Sequence, residues 1–243
     1  MTIKQIVYDI LMTVRGGTLS DDDYLKVPQL QFNVDNVRAM LISQQLAKRL
    51  FIPEQIKQTL SCVDVSLVDK SECPCEVTGC SIFRTDLKIP KTIETHGRNI
   101  IQVGSIMIGT KPYHHIDINR TAYIDSAKFG KDYIKWFSHN DYIYIITKNF
   151  TDKISIVGVF ETPAEANKFS HCNGQPCYDE NTSRYPVSGK MIEDIKNTIF
   201  NTSLRIEANS IGDDINNADG RVNTGSRQAV PKSTQQAQTG QEE

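Results

Sequence analysis

The sequence contains no apolar run that approaches the roughly 18 residues needed to cross a bilayer, so we expect no membrane-spanning segment. Its N-terminus is an amphipathic pattern interrupted by Lys4, Gln5 and Asp9. It lacks the apolar core of a signal peptide, which argues against secretion by that route. Lys and Arg together number 27 against 29 Asp and Glu, a net charge of −2. Because dedicated DNA- and RNA-binding proteins usually carry a strong basic excess, this balance argues against that class.

Several sequence motifs of enzymes are also missing. The chain has no G-x-x-x-x-G-K-[ST] loop for phosphate, no G-x-G-x-x-G after a strand and no G-x-S-x-G turn. Carboxylates are plentiful, but the sequence does not show which of them converge on one site. We therefore assign no catalytic, cofactor-binding or metal-binding residue and no cofactor, and we expect a protein that is not an enzyme.

The last 37 residues, 207–243, differ sharply in composition from the rest of the chain. Twenty of them are Gly, Ser, Thr, Asn, Gln or Pro, nine are charged, and eight are Ala, Val or Ile. No aromatic residue follows Phe200. Such a segment cannot bury enough surface to offset the entropy lost on ordering. We expect an extended polar arm that orders only against neighbouring chains in an assembly.

The first sixty residues predict helices. A stripe of apolar residues on a 3.6-residue period comprises Ile3, Ile6, Val7, Ile10, Leu11 and Val14. Thr2 and Gln5 have capping-box spacing, and Gly16-Gly17 predicts the end of this helix. Ser20 is an N-cap candidate before Asp21–Asp23, an acidic run that we interpret as a solvated helix start.

Proline residues mark the boundaries of the next predicted elements. Pro28 is expected to end the short element that Ser20 begins, and Pro53 to open a short helix that reaches Leu60. Between them we predict a helix over residues 34–50. The residues expected on its inward side are Val34, Val37, Leu41, Leu46 and Leu50.

From Cys62 the apolar period changes to two, which predicts strands. Val63, Val65 and Leu67 alternate with polar residues. Later candidates are Ile100–Val103, Ser105–Ile108, Tyr113–Ile118, Tyr142–Thr147 and Ile154–Phe160. The last two are separated by Lys148–Lys153, which predicts a hairpin loop. A short helix is expected from Pro163, and a final helix from Gly189 to Ser203, capped by Ser188, with Ile192, Ile195 and Ile199 on one face.

These patterns predict an α+β fold in four parts. Residues 1–60 form a region of short helices and residues 61–160 a mostly antiparallel β domain. Residues 161–206 hold a loop and the C-terminal helix, and residues 207–243 form the extended assembly arm.

The cysteines give the main alternative to a purely structural protein. Cys73, Cys75 and Cys80 form one cluster, Cys172 and Cys177 form a second beside His171, and Cys62 stands apart. Zinc needs four ligands, and the two clusters together could supply them, which leaves a zinc-dependent binding module or metalloenzyme open. The C-x-C pair is too tight for an ordinary zinc knuckle, however, and reduced, partly buried thiols explain the pattern better. A disulfide requires an oxidising compartment, against which the missing signal peptide argues.

The histidines and aromatic residues carry weaker signals. His114 and His115 are adjacent in a predicted strand, so at most one of them shares a face with Asp117. His96 and His139 fall in predicted loops, and we interpret all four as structural or surface residues. The aromatic and basic stretch Lys128–Phe137 is compatible with stacking on nucleic-acid bases, but its aromatic residues fit a core or a subunit contact better.

Several stretches, taken in order, resemble structural proteins of tailed bacteriophages, and the nearest set is the short-tailed crAss-like phages. The stretches are Ser20–Leu25, Asn36–Gln44, Val68–Cys73, Leu87–Glu94 and Val157–Ala166. The resemblance covers roughly residues 1–206 and brings no catalytic residues with it.

This resemblance implies a subunit of the head-to-tail connector, in a twelve-fold ring on the portal vertex. Its expected partners are other copies of itself, the portal protein, and other tail-ring or tail-barrel proteins. Genomic DNA would pass through the lumen without sequence-specific binding, and no membrane is involved. The resemblance also implies a virion protein at the portal vertex or tail that is assembled in the host cytoplasm. A different ring further down the tail, or a minor capsid-associated component, is the alternative within the same class.

Overall fold

The computed structural model of the chain describes residues 1–14, 26–68, 81–95, 98–99, 101–107, 110–123, 133–148 and 152–204. Within these ranges the chain is α+β, as predicted, with a few helices and a mostly antiparallel sheet. The predicted arm, residues 207–243, lies outside the described residues, as do Gly16, Gly17, Ser20 and Asp21–Asp23.

Helix α1 spans Ile3–Val14 and begins with the predicted capping box. The Thr2 amide donates to Gln5 Oε1 over 2.9 Å, and the Gln5 amide donates to Thr2 Oγ1 over 3.3 Å. These bonds satisfy two amides that have no partner within the helix. The predicted stripe is buried at Ile3, Ile6, Val7, Ile10 and Leu11. The prediction is wrong for Val14, which ends the helix with 46% of its surface exposed.

Helix α2 spans Val27–Ala47, so it begins seven residues before the predicted start at Val34. Pro28 lies in its first turn and does not end an element there. Proline is accepted at this position because the N–H it lacks would have no intrahelical partner. The buried residues of α2 are Leu30, Val34, Arg38 and Ile42. Only Val34 of the predicted inward set is among them, and Leu50 lies beyond the helix with 56% of its surface exposed.

The predicted helix from Pro53 to Leu60 is wrong beyond its first turn. Glu54–Ile56 forms a single 3₁₀ turn, and strand β1 then spans Gln58–Leu67. Strand β1 pairs on both sides with antiparallel neighbours. Backbone hydrogen bonds to two strands therefore outweigh the local helix signal of this segment.

The remaining strands complete one seven-stranded sheet and a separate β-ribbon. They are β2 (Ser81–Thr85), β3 (Glu94–Thr95), β4 (Arg98–Asn99), β5 (Ile101–Gly104), β6 (His114–His115), β7 (Lys135–His139), β8 (Tyr142–Thr147) and β9 (Lys153–Gly158). The order in the large sheet is β5-β9-β1-β2-β8-β7-β6, and β3 pairs with β4. All pairs are antiparallel except β6 with β7. The Tyr113 amide donates to Val103 O over 2.7 Å, so the two sheet edges approach each other in a nearly closed barrel.

The predicted hairpin between β8 and β9 is wrong, although both strands form. Strand β8 pairs with β2 and β7, and β9 pairs with β1 and β5, because β1 and β2 lie between them. The actual hairpin joins β7 to β8. Its turn residues Asn140 and Asp141 have φ values of 50° and 66°, which suit a two-residue turn between twisted strands.

Other strand predictions met mixed outcomes. Strand β5 matches the candidate Ile100–Val103, whereas residues 105–107 form a bend in place of a strand. In the candidate Tyr113–Ile118 only His114 and His115 are in a strand, and a 3₁₀ helix begins at Ile118. The alternation at the end of β1 also fails, since Leu67 is exposed.

Helix α3 spans Gly189–Ile199, close to its prediction. The predicted cap Ser188 accepts a hydrogen bond from the Met191 amide, and the helix continues as a π-helical turn, Phe200–Leu204. Its buried residues are Met191, Ile195 and Ile199, while Ile192 is only half-buried. The element predicted from Pro163 is a 3₁₀ helix, Pro163–Lys168. Helix α2 packs against both α1 and α3, and Met1–Phe200 forms one compact unit.

Candidate functional site

A disulfide joins Cys62 in strand β1 to Cys172, which is 110 residues away in sequence. Their Cα atoms are 5.2 Å apart, within the usual range for a disulfide. Cys62 lies where the pairing of β1 with β9 shifts register, and its φ of 53° marks the irregularity. The expectation that Cys62 stands apart and that these thiols stay reduced is therefore wrong. The missing signal peptide argued only about the redox state of the compartment. It carried no information about which cysteines the fold brings together.

Cys177 is a free, half-buried thiol beside this disulfide. Its Sγ lies 3.8 Å from His171 Nδ1, and the same nitrogen lies 3.1 Å from Ser61 Oγ. Burial raises the pKa of the Cys177 thiol. Because the thiolate is the strong nucleophile, this thiol is poorly activated for nucleophilic chemistry at neutral pH.

The zinc hypothesis gains no support within the described ranges. No group of three His, Cys, Asp or Glu side chains there is placed to hold a metal ion. Cys172 is engaged in the disulfide, and Cys73, Cys75 and Cys80 lie outside the described residues.

The histidines singled out in the sequence do not form a site with Asp117. His114 and His115 are exposed residues of the edge strand β6, and the His115 ring lies 4.5 Å from the Trp136 ring. Asp117 Oδ1 accepts a hydrogen bond from the Asn119 amide and so caps the following 3₁₀ helix. His139 ends strand β7 as an exposed residue, and His96 is outside the described residues.

Two aromatic residues of the stretch Lys128–Phe137 belong to the core. Trp136 and Phe137 are buried, and Trp136 Nε1 donates to Tyr113 O over 3.2 Å. The Phe137 ring stacks on Tyr144 in the neighbouring strand. These rings are not available to stack on bases, which confirms the packing interpretation for them. Tyr133 is exposed, and Phe129 lies outside the described residues.

One groove of about 400 Å³ lies between the chain after β2 and the β7–β8 turn. Its polar lining includes Lys91, Glu94, His139, Asp141 and Glu161. Lys91 Nζ pairs with Glu161 Oε2 at 3.0 Å, so its charges are partly neutralised within the groove. The lining also holds Thr92 and Ser138, but His139 Nε2 lies 3.2 Å from Asn140 Nδ2, and among the described residues no hydrogen bond joins His139 to either hydroxyl. The groove therefore gives no basis for assigning catalysis.

The most elaborate polar arrangement was missed by the sequence analysis. Arg38 of α2 is fully buried; its Nε donates to Pro186 O over 2.9 Å, and its Nη1 donates to Phe160 O over 2.7 Å. Its guanidinium lies 5.7 Å from the centre of the Tyr185 ring. Arg38 therefore ties α2 to the chain after β9 and to the segment before α3. No local pattern distinguishes it from a surface arginine.

The electrostatics of this network follow from its burial. Desolvation raises the pKa of Asp35, an effect that the Tyr185 hydrogen bond and the Arg38 charge only partly offset. Burial likewise lowers the pKa of Arg38 and raises that of Tyr185. The Tyr185 hydroxyl holds Asp35, and two backbone carbonyls hold Arg38, so the network positions helix α2 against the segments that carry those partners.

No described helix is long and apolar enough to cross a membrane.

Comparison with known proteins identifies the family. No curated protein matches the chain. A family model described as phage tail ring protein 2 matches residues 5–224, which extends beyond the resemblance noted over residues 1–206 into the predicted arm. The chain therefore belongs to the phage tail ring protein 2 family of crAss-like phages.

Proposed function

We propose that this virion ring protein is a subunit of the head-to-tail connector, where it joins the portal to the tail and seals the joint. The family match over residues 5–224 carries the proposal, because it makes the chain a structural ring subunit of the phage tail. Position at the portal vertex is supported by the order and spacing of the stretches that resemble connector proteins. In this role the protein is not an enzyme.

The ring contains twelve copies in this proposal and passes genomic DNA through its lumen. The nearly balanced charge, 27 basic against 29 acidic residues, supports a conduit. A lumen rich in Lys and Arg would bind the phosphate backbone and slow the exit of DNA. The partners are neighbouring copies, the portal protein and other ring or tail-barrel proteins, and assembly takes place in the host cytoplasm.

The four-part organisation assigns a role to each part. Three parts supply different faces for contacts between neighbouring subunits: the helices of residues 1–60, the β domain of 61–160, and the loop and helix of 161–206. A closed ring forms when one face of each subunit binds a different face of the next. The arm, residues 207–243, orders on assembly and fastens one subunit to its neighbours.

Imaging of the native particle by electron cryo-microscopy tests the connector role. The expected result is density for the unit Met1–Phe200 in a twelve-fold ring directly against the portal. Density for this chain in a ring further down the tail would contradict the connector position. Antibody labelling of an epitope-tagged chain, at the same axial height, is an independent measurement.

A further inference from the structure

The outward side of helix α2 carries no charged residue. Of the 21 residues in α2 only Asp35 and Arg38 are charged. Arg38 is fully buried, and Asp35 is hydrogen-bonded to Tyr185. The opposite side, which we name the α2 outer face, presents exposed residues four or three positions apart: Phe32, Asn36, Met40, Gln44 and Ala47. Phe32 is 64% exposed and Met40 is 42% exposed.

Helix α3 of the same protein shows what a solvent-facing helix looks like here. It has eleven residues, and its outward side carries the exposed Lys190, Glu193 and Asp194. Surface helices normally have charged or polar residues on the side away from the core, whereas a helix that also carries large apolar residues there, as α2 does at Phe32 and Met40, is usually covered. The contrast between α2 and α3 therefore indicates that α2 is covered in the working protein.

Exposed apolar side chains continue beyond the end of α2. Leu50 and Phe51 follow the helix within four residues, and Phe51 is 80% exposed. A helix of 21 residues is about 31 Å long at 1.5 Å per residue. A strip of that length makes a substantial part of the roughly 800 Å² that each partner buries in a stable interface.

We propose that the α2 outer face, together with Leu50 and Phe51, packs against a neighbouring copy of this chain in the ring. This inference rests on ring assembly, which the proposed function includes, and it identifies one side of the contact between subunits. It does not depend on where along the tail the ring sits.

Ring assembly places a copy of the same chain beside each subunit, and the chemistry of the surface argues against DNA and the arm as the occupants. Contact with DNA requires Lys or Arg; the α2 outer face has neither, and the exposed Lys48 and Arg49 lie only at one end of the surface, between α2 and Leu50. The arm of the same chain has no aromatic residue and only eight Ala, Val or Ile among its 37 residues, so it offers little to cover Phe32 and Phe51. A heterologous ring contact joins two different faces, so α2 of one copy meets a different surface of the next.

Photo-crosslinking in assembled particles tests this proposal. The full-length chain, with p-benzoylphenylalanine at position 32, is supplied during infection, and purified particles are irradiated. We expect a product of twice the 27.4 kDa chain mass, with both cross-linked peptides from this chain and from different copies. The matched control carries the probe at position 197, on the charged side of α3, and should give about tenfold less of that product.

A charge-insertion pair provides a second measurement. The double variant Phe32→Glu, Met40→Glu should enter particles at a level lower by about tenfold or more, because it places unpaired charges in the contact. Asn197→Glu, which adds a charge to the exposed side of α3, should stay within about twofold of wild type. Circular dichroism of the purified chains verifies that both variants are folded.

Other products would overturn the proposal. A cross-link from position 32 to a different virion protein, a link within the same copy to residues 205–243, or no product at all would each contradict it. The outcome is separable from that of the connector proposal. A ring that lies away from the portal, but still gives the cross-link between two copies of this chain, would contradict the connector role. It would still support this contact between subunits.

Discussion

The Tyr185 hydroxyl donates a 2.6 Å hydrogen bond to Asp35 Oδ1, although 150 residues separate the two in sequence. With Arg38, this bond fastens helix α2 to the segment that precedes α3. The network holds α2 with one side buried and its uncharged side outward. The polar interior of the helix layer therefore determines which surface the ring subunit presents.

The charge of Asp35 predicts a pH-dependent stability. Because the folded-state pKa of Asp35 is raised above the ordinary 3.8, the unfolded chain loses this proton at a lower pH than the folded protein does. The protonated carboxyl group therefore makes its full contribution to the free energy of unfolding only below pH 3.8. That contribution is lost as the pH rises through the raised folded value. Asp35→Asn keeps an oxygen that can accept from Tyr185 but cannot ionise. The free energy of unfolding of wild type minus that of Asp35→Asn should fall with rising pH, measured by urea denaturation from pH 3.5 to 7. A difference that is constant or that grows with pH would contradict the raised pKa.

The hydrogen bonds of Arg38 predict a large loss of stability on truncation. Arg38→Ala leaves the buried carbonyls of Phe160 and Pro186 without this donor, and it opens a cavity beneath α2. We expect the unfolding free energy to fall by about 3–5 kcal/mol. Arg120→Ala, at an exposed arginine, is the control and should cost no more than about 0.5 kcal/mol. Equal effects of the two variants would show that the buried network is unimportant.

These residues illustrate what the sequence could and could not predict. The start of α1 was predicted correctly because Thr2 and Gln5 lie three residues apart, so capping depends only on local spacing. Strand β8 was predicted correctly because the apolar alternation that identifies a strand is likewise visible within a short stretch of sequence. Arg38 was missed because its acceptors are 122 and 148 residues away, and nothing within α2 indicates them.

Strand partners could not be predicted for a related reason. Alternation at Tyr142–Thr147 identifies a strand, but the pattern does not identify which strand lies beside it. The nearest candidate in sequence was chosen, whereas β1 and β2 lie between β8 and β9 in the sheet. Strand β7 was missed because its buried residues, Lys135, Trp136 and Phe137, are consecutive and show no alternation of apolar and polar positions.

The disulfide predicts a redox-dependent stability. Closing a loop of 110 residues restricts the unfolded chain, so oxidation should stabilise the protein by about 2–4 kcal/mol. Cys62→Ser, Cys172→Ser should abolish the difference between oxidised and reduced samples in thermal melts. Cys177→Ser, at the neighbouring free thiol, should retain it. Thiol titration of the denatured wild-type chain should find at least two more reactive thiols after reduction, and an unchanged number would argue that the bond does not form.

The stripe of α1 predicts a position-dependent response to charge. Ile10→Asp buries a carboxylate among apolar side chains, and we expect a loss of about 4 kcal/mol or failure to fold. Met12→Asp places the same charge on the exposed side of the same helix and should cost no more than about 1 kcal/mol. Chemical denaturation followed by circular dichroism separates the two. A stable Ile10→Asp protein would mean that α1 does not pack through this stripe.

The proposed role of the arm, residues 207–243, predicts that its deletion impairs assembly but not folding. The unit Met1–Phe200 contains the buried residues that we describe, so deletion of 207–243 should leave its melting temperature within a few degrees of wild type. Incorporation into particles should nevertheless fall by about tenfold or more, because the proposed fastening to neighbours is lost. Deletion of 225–243 is the matched control, since it retains every residue that the family model matches. If the longer deletion assembled as well as wild type, the arm would have no role in joining subunits. If the shorter deletion failed as completely as the longer one, the fastening residues would lie beyond 224, outside the part of the arm shared with the family.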